Sequence, residues 1–257
     1  SRQAGASRWA DALKASRFFA GVEDARRAMD SGLTDKAQAI AEDLVRMNYE
    51  EPQPALEVLA EIYEQKGRFA DAADLYSQAG EGGTGNETRL RSRAARGRAL
   101  AAAAQGDDFM AEQEFHNGLM IDSNDPWIRY EFARFMIRKG RRVEAESLIS
   151  SLSQSTSTDA VYASALVHQD LGNALAASAL IDRIPEAQRT PAMRSFAIGI
   201  KTESAIQRAK AMAEVGQKTG AISALRQIGA MSALPAARRA QVADALFDLN
   251  DTAAASS

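Results

Sequence analysis

The sequence predicts an all-α chain of stacked helical hairpins, and three observations carry that prediction. Helix-favouring Ala, Leu, Glu, Arg and Gln dominate the long segments. Proline is held to 6 of 257 residues, and β-branched runs alternating with period two do not occur. Small residues recur at matching places in segments of about 34 residues, as closely packed helix pairs require. Glycines 32, 67, 106, 140, 172 and 216 punctuate the chain at intervals of 35, 39, 34, 32 and 44 residues. Each stands where a helix can end in the left-handed conformation that glycine adopts at little cost.

Residues 18–52 form a degenerate leading unit with Ala25, Gly32, Ala37, Ala41 and Leu44. The clearest unit runs from Gln53 to Asn86. Numbered from 1, it places Leu56, Leu59, Ala60 and Tyr63 at positions 4, 7, 8 and 11, and Ala72, Tyr76 and Ala79 at 20, 24 and 27. Ala60 and Ala72 are small where two helices approach, and Leu59, Tyr63 and Tyr76 fill the space between them. This is the tetratricopeptide (TPR) pattern. It recurs at about 92–125 (Ala99, Gly106, Ala111, Phe115, Gly118) and about 126–157 (Phe132, Ala133, Met136, Gly140, Ala145, Ile149, Leu152). A fourth unit starts near Thr158 (Ala165, Gly172, Ala177, Ile181, Ile184), and a weaker fifth follows (Ala209, Met212, Gly216, Ala221, Leu225, Ile228). After Pro235, residues Ala236 to Asn250 read as one more first helix, with Ala243 at position 8 and Asn250 in its turn.

The long intervals between glycines have visible causes. One is the Gly-rich insertion Gly80 to Gly85, read as a mobile loop. The other is the stretch Pro185 to Gly199, which lengthens or adds a helix. The expected fold is therefore a TPR-like right-handed α-solenoid of about six hairpins, a single domain over 1–257, with a non-TPR helical insertion near 185–201. A hinge or change of superhelix direction is expected there, at Pro185, Pro191 and Gly199.

Composition narrows the function. The charge of −3 gives no general attraction to nucleic acid or anionic lipid. The absence of cysteine removes disulfides, thiolate metal sites and thiol nucleophiles. No apolar run approaches the roughly 20 residues of a bilayer span, so the chain is not expected to insert in a membrane. Ser1 to Ser7 resemble neither a signal peptide nor a Met start, and the chain reads as a piece of a longer protein.

Motifs for chemistry are few. His116 and His168 are isolated and read as helix-surface or groove residues; no metal-ligand spacing accompanies them. Gly80 to Gly85 has the glycine spacing of a phosphate loop, but Asn86 and Glu87 stand where Lys and Ser or Thr must be. No catalytic residue, cofactor or metal is expected, and the chain is read as not an enzyme. Glu57, Glu61 and Glu64 form one helical stripe, read as a solvated face. Arg89, Arg91, Arg93, Arg96 and Arg98, with Arg138, Lys139, Arg141 and Arg142 further on, read as a salt-paired or solvated surface rather than a nucleic-acid patch.

In TPR arrays positions 2, 5, 9, 12 and 13 line the concave surface. The unit at Gln53 supplies Pro54, Glu57, Glu61, Glu64 and Gln65, an acidic set. The unit at Pro126 supplies Trp127, Tyr130, Arg134, Ile137 and Arg138, and the next adds Tyr162 and Gln169. Position 9 carries Arg26, Glu61, Leu100, Arg134, Leu166 and Lys210, without the Asn of a carboxylate clamp. Trp127, Tyr130, Arg134, Arg138 and Tyr162 are therefore the candidate ligand groove for an extended peptide or glycan, since both offer apolar faces with polar edges. Packing of Trp127 and Tyr130 between repeats is the competing reading.

Asp125-Pro126-Trp127-Ile128-Arg129, followed by Phe132-Ala133-Arg134 and Lys139-Gly140-Arg141, resembles the recurring D-P-aromatic-x-R repeat in the TPR region of the bacterial cellulose export proteins, a component of cellulose synthase. Ile184-Pro185-Glu186-Ala187-Gln188-Arg189 through Pro191-Ala192-Met193-Arg194 is similar to an insertion in the same family. The resemblance spans roughly 125–249. It implies a periplasmic scaffold ahead of an outer-membrane β-barrel, bridging an inner-membrane synthase to the export pore. The implied contacts are other subunits of the secretion complex and the glucan chain or peptidoglycan. The rival expectation is a cytoplasmic TPR adaptor that takes a partner's peptide or helix.

Overall fold

The computed structural model describes residues 2–83, 85–231 and 234–249; side chains of residues 2–8 are outside the description. The described residues form thirteen α-helices and one 3-10 turn, with no strand. Asn250, expected in the turn after the last helix, lies outside the described residues. The chain divides into two compact units, 1–132 and 133–257, and the fold of each is TPR-like.

The first unit holds α1 (Arg2–Asp30), α2 (Thr34–Arg46), α3 (Gln53–Gln65), α4 (Phe69–Ala79), α5 (Glu87–Gln105) and α6 (Asp108–Ile121). It also holds the first half of α7 (Pro126–Arg138). Consecutive helices pack as α1 on α2, α3 on α4 and α5 on α6, and each hairpin packs on the next. Two helices begin ahead of the expected units. α1 extends sixteen residues upstream of residue 18, and α5 starts at Glu87 instead of 92, because Ala and Arg there are good helix formers and no proline stops them.

The second unit holds the rest of α7, α8 (Arg142–Ser153), α9 (Thr158–Asp170) and α10 (Ala174–Asp182). The 3-10 turn Glu186–Gln188, α11 (Pro191–Glu214), α12 (Lys218–Gly229) and α13 (Ala236–Asp248) complete it. The insertion is thus a short turn followed by a lengthened first helix, α11, of 24 residues.

All six turn glycines have positive φ, between 72° and 82°. At each, the glycine N–H and the next residue's N–H bond back to carbonyls of the preceding helix, as in Gly67 to Glu64 and Arg68 to Tyr63, which satisfies carbonyls the helix end would otherwise leave open. Seven residues before and five after each glycine stands an alanine. The twelve are Ala25/Ala37, Ala60/Ala72, Ala99/Ala111, Ala133/Ala145, Ala165/Ala177 and Ala209/Ala221, and every one is at most 1% exposed. A methyl is all that fits where the two helices of a hairpin come closest, and the hydrophobic side chains around it fill the remaining space. Phe115 and Phe132 illustrate the filling, with stacked rings 4.9 Å apart.

The segments that resemble the cellulose export proteins act locally as helix starters. Asp125 accepts from the N–H groups of Trp127 and Ile128, Pro126 opens α7, and Arg129 donates to the Ser123 carbonyl at 2.9–3.0 Å. Thr190, Pro191 and Arg194 repeat the arrangement at α11: Thr190 accepts from Met193 N–H and Arg194 donates to the Arg189 carbonyl at 2.6 Å. In both, a polar cap and a proline satisfy or remove the open donors of the first turn, and the arginine four residues on ties down the incoming loop.

Candidate functional site

α3 and α5 lie side by side, and their facing stripes carry opposite charge. Glu57, Glu61 and Glu64 each pair with the residue 32 positions later, Arg89, Arg93 and Arg96, at 2.7 Å. The spacing i, i+4, i+7 on each helix keeps all three members of a stripe on one face, so the two helices meet as a ladder. The expectation of a solvated acidic face is corrected here. These carboxylates are largely covered, and the acidic concave set is neutralised by the next hairpin, which hydrophobicity patterns within one helix cannot reveal. The salt-paired reading of the arginines holds for Arg89, Arg93 and Arg96, and for Arg98, which pairs with Glu114 at 2.9 Å. Arg91 is exposed.

The innermost rung is the most developed. Arg96 donates to both oxygens of Glu64, and the hydroxyl of fully buried Tyr76 donates to Glu64 at 3.1 Å. Burial and the neighbouring Glu64 push the Tyr76 phenol well above its usual range, so it stays a donor. Burial works against the charge of Arg93, but Tyr76, Glu61 and Glu64 outweigh it and hold the guanidinium charged.

A groove of about 460 Å³ opens over this ladder, lined by Glu61, Glu64, Arg93 and Arg96 on one side and by Trp127 and Tyr130 on the other. The two rings, three residues apart on α7, meet edge to face with centroids 6.0 Å apart. Both are half-buried. Met29, Phe69 and Leu100 add apolar lining, and Gln65 and Glu131 add polar edges. Of the five expected groove residues, Trp127 and Tyr130 therefore share one site in the first unit. Arg134, Arg138 and Tyr162 belong to the second. There Arg134 pairs with Asp170 at 3.2 Å, Arg138 is exposed, and Tyr162 packs edge to face on Phe196 at 5.5 Å. The part played by Arg93 and Arg96 was missed; the signal was the repeat of one charge spacing 32 residues later with the sign reversed.

The expected hinge residues are placed as follows. Pro185 precedes the 3-10 turn, Pro191 is the first residue of α11, and Gly199 is buried inside α11 beneath the Arg238 side chain. Arg189, almost fully covered, donates to the carbonyls of Ile181 and Ile184 and pairs with Glu186 at 2.7 Å. His116 is exposed on α6, and His168 is half-buried on α9. Among the described residues no group of three or more His, Asp or Glu could hold a metal ion, and no helix is long and apolar enough to cross a membrane.

A curated protein of Xanthomonas axonopodis pv. citri is 27% identical over 227 residues, 74% of this chain, and one of Pseudomonas fluorescens is 26% identical over 263 aligned positions, 87% of the chain. Both carry the name cellulose synthase operon protein C. This chain is similar to that protein. It spans only 15% and 20% of the length of the two cellulose synthase operon proteins C. No protein-family model matches. Among solved structures, the human IFIT1 dimer is similar along 91% of this chain and 55% of its own, with a TM-score of 0.56 at 15% identity. At that identity the likeness concerns the fold alone. A tetratricopeptide repeat protein of Parabacteroides merdae matches 93% of this chain and 89% of its own, with a TM-score of 0.46 and 16% identity.

Proposed function

We propose that this chain is a scaffold segment of a bacterial cellulose synthesis and export machine. In this reading it lies in the periplasm, within a parent anchored in the outer membrane, and links the synthase complex to the export pore. The observation that carries the reading is the similarity to cellulose synthase operon protein C from two bacteria along most of the chain. Stacked hairpins suit the role, because each added repeat extends a rigid spacer without needing a larger core.

The groove at Trp127 and Tyr130 is the proposed contact for the glucan. Its arginines are already matched by Glu61 and Glu64, and Glu131 is the remaining charge in its lining, so the groove offers little net charge to attract a strongly acidic or basic peptide. A neutral polymer with apolar ring faces and hydroxyl edges suits such a wall: sugar faces stack on the aromatics while hydroxyls reach Gln65 and the carboxylates. Arg134, Arg138 and Tyr162 are proposed as further contacts on their own unit, and the insertion at 185–201 as the point where stacking changes direction.

Titration calorimetry with cellohexaose and with a soluble peptidoglycan fragment tests the groove. Cellohexaose binding weakened by about tenfold or more in Trp127→Ala and in Tyr130→Ala, with the thermal melt retained, is expected. Equal binding by wild type and both variants would remove the groove from the proposal, and preference for the peptidoglycan fragment would change its ligand. Fractionation of cells carrying the full-length protein tests location; recovery with the cytosol would favour the adaptor reading.

A further inference from the structure

The lengthened α11 leaves part of its surface uncovered. At 1.5 Å per residue its 24 residues run about 36 Å, whereas the neighbouring α10 and α12, of 9 and 12 residues, run about 13 and 18 Å. A groove of about 600 Å³ follows between them. Its floor is one stripe of α11, Ala197, Ile198, Thr202 and Ala205, and its apolar wall is Ile228, Met231 and Leu234. Ile198 and Met231 are 42% and 56% exposed, an apolar surface that no other described residue of the second unit covers.

The rim is basic. Arg189, Arg194, Lys201 and Arg208 stand against Asp182 and Glu186. Those two carboxylates are already engaged by Arg189 and Lys201, at 2.7 Å for the closer contact of each. Arg194 spends one nitrogen on the Arg189 carbonyl. Among the described residues neither Arg194 nor Arg208 has a carboxylate at ion-pair distance, and the two stand at the ends of the α11 stripe, about 21 Å apart along the helix.

We propose that this groove docks an amphipathic helix of a partner protein, with acidic residues near its two ends facing Arg194 and Arg208 and an apolar stripe packing on Ile198 and Met231. The charge excess selects the acidic ends. The walls select the helix: they are helices with their own backbone bonds made, so an extended peptide would find no strand edge to satisfy its N–H and C=O groups, whereas a helix brings them already satisfied. Ala197 and Ala205 keep the floor low enough for two helix axes to approach closely. The partner carboxylates should be about 14 helical residues apart to match the arginines.

The probes are three synthetic helical peptides with glutamates spaced in this way around a leucine stripe, titrated against the full chain by fluorescence anisotropy. Controls are the same peptides with Glu→Lys or with Leu→Ser, and polygalacturonate as an anionic polymer of another class. Saturable binding of the acidic peptides alone is expected, weakened at least tenfold by Arg208→Glu and by Met231→Ser, and unchanged by Trp127→Ala, which separates this groove from the proposed glucan site. Both variant positions are exposed, and an unchanged circular dichroism melt confirms the fold; Ile198→Ser serves as a third variant. The proposal is overturned if none of the three acidic peptides binds, if the controls bind as well, if the variants bind undiminished, or if polygalacturonate binds with the same variant sensitivity.

Discussion

Arg96 of α5 grips both carboxylate oxygens of Glu64 on α3, at 2.7 and 2.9 Å, across 32 residues of sequence. The two side chains are only 11% and 18% exposed, so either one left alone would be a charge with little water around it. Arg96→Met should therefore cost about 3 kcal/mol, toward the lower end of what breaking a buried pair costs. Adding Glu64→Gln should recover at least about 1 kcal/mol, since the orphan charge is gone and Tyr76 keeps an acceptor. A double-mutant cycle by urea denaturation measures both. Additive losses would mean that the two residues do not stabilise one another.

Asp125 joins two functions. One of its oxygens caps α7 and the other accepts from buried Ser92 at 2.8 Å. Asp125→Ala should lose about 2 kcal/mol, combining a cap with an orphaned hydroxyl. Ser92→Ala, which leaves the cap intact, should lose about half as much by the same denaturation assay.

Gly97 and Gly118 mark places where even a methyl is too large. A Cβ on Gly97 would stand 3.0 Å from both the Ala73 methyl and the Phe69 carbonyl oxygen of α4, and one on Gly118 would overlap the Cδ1 of fully buried Ile128. Gly→Ala in a helix interior ordinarily stabilises by up to about 1 kcal/mol. Both substitutions here should instead destabilise, by about 1–3 kcal/mol, because α4 or Ile128 must shift. Gly118→Ala should be recovered in part by Ile128→Val, which thermal melts of the double variant would reveal.

His168 has a buried Nδ1 without a partner, and burial holds its pKa below the usual 6.5 despite Glu146 nearby. The unfolded chain therefore binds this proton more readily than the folded one. The stability contributed by neutral His168 is complete above pH 6.5 and is lost as pH falls through its lowered folded value. His168→Gln should flatten that part of the acid limb. Urea midpoints of both proteins at about pH 7.5 and about pH 5 provide the comparison, and an equal drop in the two would refute it.

Much of the fold was legible in the chain. A glycine flanked by alanines seven residues before and five after states the turn, the helix pair and the closest contact together, because these depend on helical geometry within one hairpin. All six such sets take up the expected conformation and burial. Trp127 and Tyr130 could likewise be assigned to one face, since three residues along a helix bring side chains together. What the sequence alone could not decide was which charges meet. Glu64 reads as part of a solvated stripe and Arg96 as part of a salt-paired or solvated one, with no partner named for either until α3 and α5 are set side by side, and the same packing neutralises most of an acidic surface. The exposure of Ile198 on α11 is of the same kind. Its side chain looks ordinary for an amphipathic helix, and only the packing around α11 leaves it, with Arg208 of the same helix and Met231 beyond α12, in the open. Local geometry follows from spacing along the chain, whereas ion pairs and surface exposure depend on distances between helices that only packing sets.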